Sequence, residues 1–207
     1  MSDDVGGPRP PLTTADLRDA KARLAAFAQW VAEASGGTID RDGAPDVKMF
    51  RGLCFVSGAV HEELWRGRPD AADHAETTAK ELFEQAFGLT DEAATELAGL
   101  LRTVQAKKDV LDLAQRTGDP ANVAAALEEI DFTDPAVTEP WLDLARGKVI
   151  YAAWKAAPDG LPPAEYRKLV RHADRIRPSS GAPSALAGIM LLAFMFAAVM
   201  GVVYIFR

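Results

Sequence analysis

The chain has little of the residue types from which local chemical sites are usually built. Among its 207 residues are one cysteine, Cys54, and three histidines, His61, His74 and His172. A single cysteine excludes an intramolecular disulfide and a multi-thiolate metal centre. None of the histidines stands in a Glu-x-x-His or His-x-x-x-His arrangement, so the one-face spacing of helical metal ligands is missing. We therefore expect no metal and no cofactor.

Catalytic sequence motifs are also lacking. The chain has no Gly-x-Ser-x-Gly elbow, no phosphate-binding loop and no dinucleotide fingerprint. The loop from Thr38 to Gly43 alternates oxygen-bearing residues before a glycine, as calcium loops do, but it places Met49 where the bidentate glutamate belongs. A polar turn explains the same residues. An enzymatic site assembled between helices, near His61 and His74, remains an alternative to a non-enzymatic protein.

The beginning of the chain has no apolar run. Residues 1–13 contain two glycines and three prolines, which favours a flexible N-terminal segment rather than a secretory signal.

Charge is distributed unevenly along the chain. Residues 1–162 hold 17 basic and 28 acidic side chains, a formal charge of −11, whereas residues 163–177 carry +3. An acidic body lacks the basic face that attracts phosphate backbones, so nucleic acid is not expected as a partner. The short basic segment comprises Arg167, Lys168, Arg171, Arg175 and Arg177.

One long apolar run is present near the end of the sequence. Residues 185–206 are 22 consecutive residues without a charge or a strongly polar side chain. At about 1.5 Å per residue, a helix of this length reaches about 33 Å, enough to cross a hydrocarbon core of about 30 Å once. The sequence therefore predicts a single transmembrane helix over 185–206, joined by a linker over 178–184 to a helical domain over 14–177.

The orientation of this helix follows from the flanking charges. Five basic residues precede it and only Arg207 follows it, so the positive-inside rule predicts a cytoplasmic N-terminal domain and an outside C-terminus. This is a tail-anchored, single-pass topology. Richness in alanine, arginine, glycine and proline indicates a bacterial inner membrane, although a eukaryotic tail-anchored protein would show the same topology.

Small residues recur along the predicted membrane helix. Residues four apart share a helix face, and small side chains on that face let a second helix approach closely. The candidate transmembrane packing residues are Ser184, Gly188, Ala193, Ala197 and Gly201. They predict a packing face toward other membrane subunits, or a homodimer seam, unless the spacing is incidental.

Apolar periodicity predicts an all-α fold, a compact bundle of about six to seven helices before the membrane helix. The second helix is apolar on most faces, so it is expected at the centre of the domain, with a buried strand as the alternative. Val47, Leu100 and Val149 are among the positions expected to point inward. The predicted helices cover about 15–34, 46–65, 71–87, 91–116, a fifth from 119, a sixth from 134 or 139 to 157, and 163–176.

The basic residues of the last helix have two interpretations. Spacings of three and four place several of them along one side, where they could rest on an anionic membrane surface. Alternatively they only fix the topology. Taken together, these patterns predict a tail-anchored accessory or assembly subunit of a membrane protein complex. A membrane-tethered enzyme or ligand sensor and a self-associating scaffold are the alternatives.

Overall fold

The computed structural model of the chain describes residues 9–118, 120–128, 135–157 and 160–175. Within these ranges the regular elements are helices, and the predicted all-α fold is confirmed. The predicted linker and membrane helix lie outside the described residues. The helices are α1 (Thr14–Ser35), α2 (Val47–Val60), α3 (Ala72–Phe87), α4 (Asp91–Thr117), α5 (Pro120–Glu128), α6 (Pro135–Lys155) and α7 (Tyr166–Arg175), with a π-helical turn (His61–Trp65) and 3-10 turns (Pro69–Ala71, Pro163–Glu165).

Side-chain caps set the starts of several helices. Thr13 and Asp16 form a capping box that opens α1, and Thr90 accepts a hydrogen bond from the backbone of Ala93 at the start of α4. Asp46 caps α2 in the same way. These helix starts agree with the predicted ones to within one residue.

Helix α2 lies at the centre of the domain and packs most extensively against α6. Two glycines allow this contact. A Cβ at Gly58 would stand 2.2 Å from the carbonyl oxygen of Leu144, and a Cβ at Gly147 would stand 2.4 Å from that of Phe55. The helices therefore cross with their backbones nearly touching, and the alternative of a buried strand for the α2 segment was wrong.

Most of the apolar core surrounds α2. An aromatic group inside it joins three helices: Phe27 of α1 contacts Trp30, Tyr151 and Trp154, and Trp30 contacts Tyr166 at the start of α7. Ring centroids in these pairs lie 5.0–5.9 Å apart, within the range of favourable aromatic packing. These contacts fix α1, α6 and α7 relative to one another.

Three positions expected to point inward are exposed instead. Val47, 82% exposed, is the first residue of α2 and precedes the part that enters the core. Leu100, 48% exposed, lies about 100° around α4 from the buried Leu101. Val149 is 37% exposed beside the buried Ile150. Helix α2 also ends earlier than predicted, because its continuation is π-helical.

The sixth helix starts at the earlier of its two predicted positions. Helix α6 begins at Pro135, and Pro140 lies inside it rather than at its first turn. Pro140 has no backbone N–H to donate, so α6 continues past it with one intrahelical hydrogen bond fewer.

Candidate functional site

Helix α7 is the element that carries the predicted membrane-surface residues. It packs on the domain through buried Tyr166 and Ala173, and through half-buried Leu169 and Val170. At about 100° per residue these four side chains share one side of the helix. The opposite side is free to face outward.

The basic residues occupy that opposite side. Arg167, Lys168, Arg171 and Arg175 are all exposed, and their positions fall within an arc of about 100°. We call these four residues the basic face of α7. The fifth predicted residue, Arg177, lies outside the described residues.

Within the described residues, three of the four side chains of this face form no ion pair. Lys168 pairs with Glu165 at 2.8 Å. Across the parts of the chain that the structure describes, no carboxylate pairs with Arg167, Arg171 or Arg175. The planar guanidinium group of arginine is well suited to binding phosphate.

An ion-pair network holds α7 in this orientation. Asp174 of α7 pairs with Arg51 of α2 and, at 3.1 Å, with Nε of Arg146 on α6. Asp143 of α6 pairs with Arg51 at 3.0 Å and Arg146 at 2.7 Å. Burial disfavours the charge of Arg51, but the two carboxylates outweigh it and raise its pKa. The network crosses three helices, so α7 is fixed to the centre of the domain.

The alternative enzymatic site was predicted near His61 and His74. His61 is buried, and its Nε2 lies 2.9 Å from Oδ2 of Asp109 on α4. The cleft beside His61 has room for about one water molecule, and His74 is not part of its lining. Within the described ranges, no three His, Cys, Asp or Glu side chains come together as a metal site would require.

The polar groups around His61 include an unusual lysine. Lys148 of α6 is half-buried, and burial together with the nearby Lys108 lowers its pKa to about 8. Burial also lowers the pKa of His61. Burial disfavours the charge of Asp109, but the hydrogen bond from His61 and the charge of Lys148 lower its pKa overall. The pKa values of all three groups are thus shifted from their usual values. The cleft beside His61 is nevertheless too small for an organic substrate.

Two other candidate residues have structural roles. Oδ1 of Asp40 accepts hydrogen bonds from the backbone of Asp42 at 3.0 Å and Ala44 at 2.8 Å, so the Thr38–Gly43 loop is a self-bonded polar turn. Cys54 is fully buried in the core, and burial raises the pKa of its thiol.

The remaining predicted residues belong to the apolar run. Ser184, Gly188, Ala193, Ala197 and Gly201 lie outside the described residues. Among the helices that the structure does describe, none combines the length and apolar composition needed to cross a membrane. Comparison with protein-family models, curated protein sequences and solved structures finds no match.

Sequence reasoning missed the partners of both polar sites. Gln105 and Asp109 are four apart on α4, a spacing visible in the sequence, but His61 is separated from Asp109 by 48 residues. Asp174 lies within the basic segment of the sequence, and its carboxylate ties α7 to Arg51, 123 residues away. Pairing over such distances in sequence has no local signal.

Proposed function

We propose that the chain is an accessory or assembly subunit of a membrane protein complex, tethered by a single tail anchor over residues 185–206. Its helical domain lies on the cytoplasmic face of the membrane, with the C-terminus outside. The observation that carries the proposal is the basic face of α7, exposed opposite the packed side of its helix and ten residues before an uncharged run of membrane-spanning length.

Electrostatics favour contact between this face and anionic headgroups. Each basic residue close to an anionic membrane surface contributes about 1 kcal/mol, and the attraction decays within a Debye length of about 8 Å at physiological salt. Residues 176–184, between α7 and the apolar run, span at most about 30 Å when extended. Helix α7 is therefore held near the headgroups by the chain itself. The acidic remainder of the domain is repelled by the same surface, which favours α7 as the contact side.

The contact can be measured with the full chain in nanodiscs that contain anionic lipid and a lipid with a gadolinium-chelating headgroup. We expect the metal to broaden the amide signals of α7 more strongly than those of α4. Replacing Arg167, Arg171 and Arg175 by Gln should reduce this broadening, because three of the four positive charges are removed. Salt at 0.5 M should reduce it too.

A matched variant removes the same charge elsewhere. Arg18, Arg41 and Arg116 are exposed and lie outside α7. Their replacement by Gln should leave the α7 signals as broadened as in the unmodified chain. Equal broadening of α7 in the two triple variants would contradict headgroup contact and leave the basic segment with a topological role only.

The partner is expected to be another membrane subunit, through the small-residue side of the anchor. Purification of the full chain from native membranes in mild detergent should yield stoichiometric membrane partners, and Ala197→Ile should weaken that association because a larger side chain keeps the helices apart. Recovery of a lone monomer would contradict the accessory-subunit proposal. Recovery of a homodimer sensitive to the same substitution would instead support the self-associating scaffold.

A further inference from the structure

The carboxylate of Asp109 fixes the hydrogen-bonding roles of two neighbours. Nε2 of His61 lies 2.9 Å from Oδ2, and Nε2 of Gln105 lies 2.7 Å from Oδ1. The lowered pKa of Asp109 keeps this carboxyl ionised at neutral pH, so both of its oxygens can only accept. His61 must therefore carry a proton on Nε2, and Gln105 must present its NH₂ group to Asp109.

This assignment leaves one acceptor on each neighbour. Nδ1 of a neutral imidazole is a lone-pair acceptor once Nε2 carries the proton, and Oε1 of the Gln105 amide is an acceptor as well. Both atoms are buried, and neither has a hydrogen-bond partner among the described residues. The residues themselves are only 4% and 1% exposed. A buried acceptor without a donor costs about 1–3 kcal/mol, and two acceptors cannot satisfy each other.

The two residues share one cleft. His61 and Gln105 both line the space between the π-helical turn, α3 and α4, together with Ser57, Glu76 and Arg102. The cleft has room for about one water molecule. A ligand held in this cleft must be of that size and, to satisfy both acceptors, must donate two hydrogen bonds.

We propose that this cleft is a binding site for a single water molecule, which donates one hydrogen to Nδ1 of His61 and the other to Oε1 of Gln105. The oxygen of the water remains free to accept a hydrogen bond from a polar group of the lining, such as the hydroxyl of Ser57. The water would then join the π-helical turn to α4 and complete the polar cluster around Asp109.

Histidine-selective ¹³C and ¹⁵N labelling of the full chain in nanodiscs tests the site. His61 is assigned by the loss of its signals in His61→Gln. The expected spectrum shows the Nε2-protonated tautomer. It also shows a nuclear Overhauser cross-peak between water and the Cε1 proton beside Nδ1, with the sign of a water that stays bound for longer than the tumbling time of the molecule. A proton on Nδ1 of neutral His61, or no long-lived water at its Cε1 proton, would overturn the proposal.

Two further measurements sharpen this test. Gln105→Met removes one acceptor and should abolish the water cross-peak while His61 keeps its Nε2 proton, whereas Gln29→Met, at an exposed position of α1, should leave the cross-peak unchanged. If Gln105→Met does not fold, the tautomer and the water cross-peak of the unmodified chain still test the proposal. The ¹⁵N chemical shifts of His61 can also be measured while ammonium chloride or sodium chloride is added. A change with ammonium chloride but not with sodium chloride would assign the site to ammonium, which would overturn the water assignment.

Discussion

The two sides of the helical domain are stabilised in different ways. Around α2 the buried side chains are almost all apolar, and aromatic rings join α1, α6 and α7. On the side where α4 meets α6, the apolar cluster is small and polar groups of α4 are buried beside it, notably Gln105 and Lys108. Hydrophobic burial therefore dominates the first side, whereas the second depends on whether its polar groups are paired.

The largest expected effect comes from opening a cavity on the apolar side. Leu53→Ala should lower the free energy of unfolding by about 3–5 kcal/mol, because Leu53 is fully buried among apolar neighbours that cannot close the cavity. Leu111→Ala, in the small cluster between α4 and α6, should cost about 2 kcal/mol, the lower end for such truncations, because fewer buried apolar side chains surround it. Urea unfolding followed by tryptophan fluorescence measures both.

Leu113→Ala provides the control for these substitutions. Leu113 lies on the same helix as Leu111 but is 62% exposed, so its truncation should change stability by no more than about 0.5 kcal/mol. If Leu53→Ala and Leu111→Ala lowered the free energy of unfolding equally, hydrophobic burial would stabilise the two sides to the same extent, contrary to this account.

A smaller loss is expected where α2 and α6 cross. Gly147→Ala should destabilise the domain by about 2 kcal/mol, because the added Cβ would overlap the backbone of Phe55 and push the helices apart. In Gly99→Ala the added Cβ meets only a carboxylate oxygen of Glu76, at 3.5 Å. That variant should be more stable by about 0.5–1 kcal/mol, the usual gain in a helix interior. Thermal unfolding distinguishes the two signs, and a stabilising Gly147→Ala would be inconsistent with the close crossing.

Apart from the control variants, the smallest effect is expected on the polar side, where a substitution should stabilise the domain. Lys148→Met should stabilise the domain at pH 7 by about 1 kcal/mol, the lower end of gains seen when an apolar side chain replaces a buried charge. The folded pKa of about 8 lies below the usual value, so the unfolded chain binds more protons between about pH 8 and 10.4. The penalty from Lys148 is therefore complete below pH 8 and fades as the pH rises toward 10.4.

Stability curves of the Lys148→Met and unmodified chains should accordingly converge between pH 8 and 10.4. Lys48→Met, at an exposed position, should show no such pH-dependent difference. A gain from Lys148→Met that persisted unchanged above pH 10 would exclude burial of the lysine charge as its cause.

The apolar side was largely predictable from sequence, and the polar side was not. Helical periodicity and the apolar run in α2 are local signals, so they identified the helices and the central one among them. Periodicity failed at Leu100 and Val149, because an amphipathic pattern does not show how wide the covered face is. The π-helical turn after Val60 also left no signal that distinguishes it from ordinary helix.

The basic face of α7 was predictable in composition but not in placement. Spacing indicated that Arg167, Arg171 and Arg175 share a side, whereas only the packing of Tyr166 and Ala173 shows that this side faces outward. The Asp174 network and the His61–Asp109 pair join residues distant in sequence. Such pairs become visible only once the helices are packed.

Membrane attachment is tested most directly by alkaline carbonate extraction of membranes from cells that make the full chain. An integral anchor over residues 185–206 predicts that the chain stays in the membrane pellet, and that replacing both Leu192 and Phe196 by Arg moves it to the supernatant, since each arginine at mid-bilayer costs at least about 2.5 kcal/mol. An unmodified chain found in the supernatant, freely soluble without detergent, would contradict the proposed location, orientation and partners together.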